Sequence, residues 1–312
     1  MKMTVKEFLI RFRPLLGLLI LAVIVSLLSP RFFTVSNILN VLRQTSINAV
    51  MAAGMTFVIL TGGIDLSVGS ILAICGAVAA FMISSGFDPY ITIATTLLLG
   101  TVLGVFAGVI ITKGKVQPFI ATLVAMTLLR GATLVFTDGK PISTGFDEGS
   151  DVFAWFGTGY VLGIPVPVFL MILVFAVSYY VLKYTRFGRY VYAVGGNEEA
   201  SRLSGVRVSR VKTAVYAISG LLSALAGIIL TARLSSAQPT AGGGYELDAI
   251  AAVVLGGTSL AGGVGTIFGT LIGALIIGIL NNALNLMNVS SYYQMIAKGA
   301  VILIAVLMDR KK

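Results

Sequence analysis

Apolar residues gather in long runs separated by short polar or glycine-rich links. By length and flanking polar residues the runs cover 15–29, 47–61, 66–85, 90–111, 118–137, 165–182, 213–232, 248–261, 266–287 and 292–308. A hydrocarbon core about 30 Å thick takes roughly 20 residues of helix, so the pattern predicts about ten membrane crossings. The predicted fold class is all-α, a single polytopic membrane domain over 1–312. Two runs, 47–61 and 248–261, are short, and each ends at a glycine pair, Gly62-Gly63 and Gly256-Gly257. They predict broken helices beside a transport path, because backbone released from helical pairing inside a bilayer must face protein or water. The two glycine stretches look like copies of a worn internal repeat running the same way through the membrane. Small residues at four-residue spacing, such as Gly100, Gly104 and Gly108, or Gly269 and Gly273, predict closely packed helix backbones.

Charge supplies the orientation. Lys2, Lys6, Arg11 and Arg13 precede the first run, which ends in Ser29-Pro30 without a cleavage-like site and so reads as an uncleaved helix. Lys113 and Lys115, the polar segment 183–212 and the tail Arg310, Lys311 and Lys312 all fall on the side of that N-terminus. Segment 183–212 sets Lys183, Arg186, Arg189, Arg202, Arg207, Arg210 and Lys212 against Glu198 and Glu199. Short cytoplasmic loops collect Lys and Arg, which places all of these inside the cell. The loop 138–163, with Asp147, Glu148 and Asp151 against Lys140, is expected outside. The composition, 57% hydrophobic and 11% charged with a mean hydropathy of +0.99, leaves no room for a soluble reading. The net charge of +10 therefore serves orientation and lipid contact, with no nucleic-acid partner.

The chain has no histidine and a single cysteine, Cys75, inside an apolar run. That excludes internal disulfides, the usual metal sites and Cys/His nucleophiles, so no cofactor, metal or covalent catalysis is expected. Gly139-Lys140 is followed by Pro141, and no phosphate-cradling loop occurs. If ATP drives this protein, another subunit binds it. Segment 183–212, polar between long apolar runs, reads as a docking site for a cytoplasmic partner. Within it Asn197 suits a helix cap, Glu198 and Glu199 suit the positive end of the helix, and Gly205 suits its stop.

Three stretches, GMTFVILTGGIDLSVGSI (54–71), FGRYVYAVGGNEEASRLSGV (187–206) and SSAQPTAGGGYELDAIAAVVLGGTSLAGGVGTIFGTLIGALI (235–276), together resemble the permease subunits of bacterial ATP-binding-cassette sugar importers. The likeness runs from about residue 15 to the C-terminus, and the second and third stretches look ribose-type within a family that also serves xylose, arabinose and galactosides. A more distant branch carries branched-chain amino acids. The resemblance implies a multi-pass homodimer in the cytoplasmic (inner) membrane, with ATP hydrolysed by a separate double-cassette ATPase. It also implies sugar delivered by a periplasmic or lipid-anchored binding protein. It implies coupling to the ATPase at Gly195, Gly196, Asn197, Glu198, Ala200, Leu203, Ser204 and Gly205, with Glu199 and Arg202 in the same segment. The rival is a self-sufficient ion- or proton-coupled transporter or channel. It would leave the basic segment without a partner, and the chain lacks a series of buried acids or histidines for a proton relay.

Further polar residues have two readings each. Asp65, beside a glycine pair, lines the path, pairs with a base or caps the helix that follows. Asn281, Asn285 and Asn288 share a helical face near Gln294 and suit a hydroxyl-rich sugar, since amides donate and accept, but equally suit helix-to-helix bonds. Arg130 and Lys298 lie within predicted spans, where a central charge costs about 2.5–3.5 kcal/mol, and are expected to face the bundle interior. Arg233, Glu246 and Asp248 flank an outer loop where charges would steer a docking binding protein.

Overall fold

The computed structural model describes residues 13–309. The basic residues Lys2, Lys6 and Arg11 and the tail Arg310, Lys311 and Lys312 lie outside the described residues. The helices are α1 (Arg13–Leu28), α2 (Val35–Leu60), α3 (Val68–Ser84), α4 (Pro89–Lys113), α5 (Pro118–Thr137), α6 (Glu148–Thr158) and α7 (Val166–Tyr184), followed by α8 (Arg186–Gly196), α9 (Glu198–Leu203), α10 (Val208–Leu234), α11 (Tyr245–Leu255), α12 (Ile267–Leu286) and α13 (Ser291–Asp309). Four two-residue strands form two antiparallel pairs: β1 (Ile142–Ser143) with β4 (Ser236–Ala237), and β2 (Tyr160–Val161) with β3 (Ile164–Pro165). Five helices, α4, α5, α7, α10 and α12, are long and apolar enough to cross a membrane, and 14–28 and α3 are shorter apolar helices. The protein is thus an all-α membrane protein.

Most expected runs return as helices with shifted ends, and the exceptions have physical causes. Instead of a short, broken segment at 47–61, α2 is one continuous helix of 26 residues, about 39 Å at 1.5 Å per residue. Its first half carries Asn37, Asn40, Arg43 and Gln44, which break the apolar run but find partners: the Asn37 and Asn282 amides exchange bonds at 3.1 and 2.9 Å, and Gln44 donates to Asn40 at 3.1 Å. The run 248–261 contains only the short α11, of 11 residues, about half a hydrocarbon thickness. The chain then turns through 256–266. The loop 138–163 holds the unforeseen α6, capped by Asp147, whose carboxylate accepts from the Ser150 amide at 3.0 Å and hydroxyl at 2.7 Å. Those bonds, the hydroxyl's first, hold the Asp147 carboxyl below the usual carboxylate range.

The core is built around α2 and α10. Every residue of α2 from Ala49 to Leu60 is buried, and α10 buries most of its face from Val215 to Ala232. Antiparallel α4 meets α10 through Gly100, Gly104 and Gly108, where added Cβ atoms would overlap Gly220, Tyr216 and Thr213. Gly269 and Gly273 of α12 take the α11 backbone at Gly256 and Ala252 in the same way. The small-residue spacing therefore does what the sequence predicts, bringing backbones together without intervening side chains. Outward, α4 and α5 present Leu98, Val102, Phe106, Leu128 and Val135, an apolar surface suited to lipid.

The tightest packing lies at the basic end, where three irregular segments meet: the turn 61–67 after α2, the end of α8 and the loop 256–266. Gly263 donates its amide to the Leu60 carbonyl at 2.9 Å, and Tyr192 of α8 donates its hydroxyl to the Gly265 carbonyl at 3.0 Å. A Cβ at Gly195 would overlap the Leu60 carbonyl, and one at Gly262 would press on Gly62. The two glycine stretches that resemble one another in sequence are thus neighbours in space, both touching α8.

Overpacking a well-filled site costs typically about 1–3 kcal/mol. Gly195→Ala is therefore expected to lower the thermal midpoint of the purified protein, while Gly131→Ala, where a Cβ meets nothing within 4 Å, should not. Equal melting of the two variants would contradict the close junction.

Candidate functional site

Two places collect the polar residues singled out from the sequence, and they lie at opposite ends of the bundle. At the basic end α7 gives way to α8, which Thr185 caps by accepting from the Gly188 amide at 3.1 Å. Its Gly188, Val191 and Val194 are buried while Arg189, Tyr190 and Ala193 are exposed, so it lies amphipathically along the bundle. The sequence shows this in Val191 and Val194 at three-residue spacing, a signal overshadowed by the following polar motif. Gly195 and Gly196 form its last turn. Asn197 then turns the corner in an extended conformation and caps α9, accepting from the Ala200 amide at 2.9 Å. The expected short helix is thus α9, and the unforeseen α8 precedes it with Asn197 at the joint.

In α9, Arg202 bonds Glu199 at 2.6 Å on the surface, and Glu198 reaches back to pair with Lys212 at the start of α10. Exposed pairs of this kind add little stability, but the second ties the helix to its scaffold. Ser204 ends the helix and Gly205, at φ +85°, reverses the chain, a backbone shape that suits glycine. Leu203 is 80% exposed. An apolar side chain held outward by a capped, tethered helix is what a docking contact with a soluble partner requires. All ten residues expected in the coupling segment, Gly195 through Ala200 and Arg202 through Gly205, sit on this one protrusion.

At the opposite end lies a polar cavity of about 370 Å³, enclosed by α2, α10, α11, α12 and α13. Of the four expected path residues it holds Asn281, Asn285 and Gln294, with the Gln294 side chain donating to Asn285 Oδ1 at 2.8 Å. Asn288 is not on their face, because α12 ends at Leu286 and Asn288 turns away at φ +55°. Asp65 does not line the cavity. Fully buried in the turn before α3, it accepts from the Ser67 amide at 3.0 Å, the Ser67 hydroxyl at 2.6 Å and the Ser219 hydroxyl at 2.7 Å. It fastens the helix start to α10 and lies apart from this cavity.

The three expected docking residues separate. Arg233 lines the cavity. Asp248 also lines it but is only 3% exposed and pairs with Lys298 at 2.9 Å, so it offers no outer surface to a partner. Glu246 sits apart, near Gly69 and Arg130. Arg130 donates to the Pro239 and Ala241 carbonyls at 2.8 and 2.7 Å, holding the link between α10 and α11. Arg130 and Lys298 therefore both turn toward bundle partners, as expected.

Sequence reading missed the α2 contribution: Gln44, Thr45 and Asn48 line the cavity. They precede or open the apolar run that marks α2 in the sequence, and their spacing of three and four along a helix was the available signal. Asn48 donates to the Asp248 carboxylate at 3.4 Å. The side-chain oxygens of Thr45, Asn48 and Asn281 are buried with no hydrogen-bond partner among the described residues.

Comparison with known proteins gives a consistent result. Residues 37–306 match the family model described as branched-chain amino acid transport system / permease component. The ribose import permease protein of Haemophilus influenzae is 65% identical over 303 residues, covering 97% of this chain and 94% of the relative. The protein of the same name from Escherichia coli K12 is 62% identical over 307 residues, covering 98% and 96%. That from Bacillus subtilis is 62% identical over 300 residues, covering 96% and 92%. No solved structure matches the chain.

Removing one member of a buried ion pair leaves an uncompensated charge and costs roughly 3–5 kcal/mol, whereas replacing both is often close to neutral. Lys298→Met should therefore destabilise the protein strongly, and Asp248→Asn added to it should restore most of the loss. Thermal unfolding of the single and double variants measures this, and an unaffected single variant would show that the pair is not a structural tie.

Proposed function

The chain belongs to the permease-component family of bacterial transport systems, and on that premise we propose that it is the membrane subunit of an ATP-binding-cassette importer that moves ribose into the cell. It is a multi-pass protein of the bacterial inner membrane and does not itself hydrolyse ATP. Ribose is favoured over related sugars because the relatives at 62–65% identity over nearly the whole chain carry that name. The observation that carries the mechanism is the protrusion at α8 and α9. A push on exposed Leu203 reaches α8 directly, and α8 touches both the turn after α2 and the loop after α11.

On this reading the protrusion 195–205 seats in a groove of a separate, double-cassette ATPase. Ten of the helices, α1 to α5, α7 and α10 to α13, cross or enter the membrane, with both termini in the cytoplasm. Two copies of the chain line one path. A periplasmic or lipid-anchored sugar-binding protein docks at the opposite end, where Arg233 stands at the cavity, and the sugar enters past Asn281, Asn285 and Gln294. The rival, a proton-driven transporter, would need an acid that exchanges protons with solvent along the path. Asp65 is sealed by three hydrogen bonds and Asp248 is held by Lys298, so neither is placed for that role.

Two measurements test the proposal. Vesicles containing the subunit with its ATPase and binding protein should accumulate ribose on addition of ATP and not under a pH gradient alone. Uptake by this chain by itself, driven by protons, would refute the importer reading. Within the working complex, Leu203→Asp or Glu199→Arg should leave sugar delivery outside intact but reduce ATP-driven uptake severely. A cysteine at Ala200 should crosslink to the ATPase, while one at Phe146, 98% exposed in the outer segment, should not. Normal uptake by both charge-altering variants would reduce the segment to an orienting loop.

A further inference from the structure

Unpaired polar atoms cluster around the cavity, and their chemistry specifies what fits between them. Among the described residues the buried side-chain atoms without a partner include Thr45 Oγ1, Asn48 Oδ1 and Asn281 Oδ1, all on residues lining this one space. A buried polar group left unmet is costly, so three together mark a place that something else completes. The cavity's 370 Å³ falls within the range of small-molecule sites, roughly 300–1,000 Å³.

The orientation of Asn48 is fixed. Its Nδ2 donates to Asp248 Oδ2, which also accepts from Lys298 Nζ. Turning the amide over would set its oxygen against a carboxylate, so Oδ1 is held as a buried, unpaired acceptor in the wall of the cavity. Thr45 lies one turn earlier on the same face of α2, and Gly278 of α12 gives its hydroxyl room, since a Cβ there would overlap Thr45 Oγ1. An amide oxygen only accepts, so its ligand must donate. Anions such as carboxylates and full phosphates have no donor to offer. Cationic donors meet Lys298 and Arg233 in the same lining. A neutral molecule bearing hydroxyl groups meets both conditions.

We infer that Asn48 reads a sugar hydroxyl at a transit subsite formed with Thr45 and Asn281, and that the Asp248–Lys298 pair positions its amide. The inference rests on the importer reading and names residues of α2 that act on the passing sugar. The permease then contributes selectivity of its own, beyond that of the binding protein, at a site too shallow in affinity to trap its cargo. A few hydrogen bonds, each worth about 0.5–1.5 kcal/mol net, suit a stop that must also release.

The experiment uses the whole complex in vesicles, supplied with saturating sugar-loaded binding protein, and compares ribose with its singly deoxygenated analogues. Each rate is expressed as variant over unaltered complex, which cancels the preference of the binding protein. Asn48→Leu should slow ribose by about tenfold. It should slow at least one deoxy analogue far less, because that analogue has already lost the hydroxyl that Asn48 meets. Asn48→Ala, which removes bulk as well, should show the same pattern, and Asn48→Gln should recover part of the ribose rate. Equal losses for every sugar, or undiminished ribose uptake by Asn48→Leu, would overturn the inference while leaving the importer reading intact. An unaltered complex that takes up no sugar with ATP would instead overturn that reading, and the subsite with it.

Discussion

Backbone that leaves a helix within a bilayer must find its hydrogen-bond partners in protein, and the arrangement of this bundle follows from meeting that demand after α11. The helix is about half as long as the hydrocarbon is thick, and the chain then turns through 256–266. Two bonds anchor this loop: Gly263 donates to Leu60, and Tyr192 donates to Gly265. They form only because glycines let the backbones of three segments approach to contact, with Gly62, Gly195 and Gly262 at the closest points. A side chain at Gly195 or Gly262 would press the turn after α2, the loop after α11 and α8 apart.

On the proposed reading, that junction is the route by which the two ends of the molecule would communicate. Helix α2 begins at the cavity end with Gln44, Thr45 and Asn48 and ends at Leu60 in the junction. Helix α11 begins with Tyr245 and Asp248 at the cavity and ends at Gly256, packed on Gly269. Each is a stiff rod with one end at the polar space and the other beside α8. Under the importer reading a displacement of α8 would act on two cavity walls together, without a continuous chain of polar contacts through the apolar middle. Close-packed interiors transmit such shifts because they have little void to absorb them.

Legibility in the sequence depended on whether a residue's environment is local. The limits of α5 match their expected range because Pro118 starts the helix and an uninterrupted apolar stretch fills it. The protrusion was equally readable: Asn197 caps, Gly205 reverses, and the signals lie within a few residues of what they control. The first half of α2 was not, because Asn37 is satisfied by Asn282, distant in sequence, and polar residues in an apolar run look like an end. Helix α6 was hidden in an acidic stretch that composition marks only as outside. In the sequence Asp65 reads as a path, pairing or capping acid and Asp248 as an outer docking charge, and neither reading names its partner. The fold separates them, one bonded to serines in a tight turn, the other facing a cation on α13.

The difference between those two carboxylates separates structure from mechanism. Asp65 takes its bonds from Ser67, two residues away, and from Ser219 on neighbouring α10, so the link between α3 and α10 is short and neutral in its donors. Asp248 depends on Lys298, the charged contact that ties α13 to α11, and on the Asn48 amide across the cavity. One oxygen thus joins three helices, α2, α11 and α13, around the polar space. Rotating α11 by even a fraction of a turn would draw that oxygen away from the amide, the ammonium or both. The amide of Asn48 would then lose the contact that aims it, and the wall formed by α13 would loosen. A site built in this way holds its hydrogen-bonding geometry in one arrangement of the bundle and surrenders it in another, which is the property a permease needs in order to let go of what it has admitted.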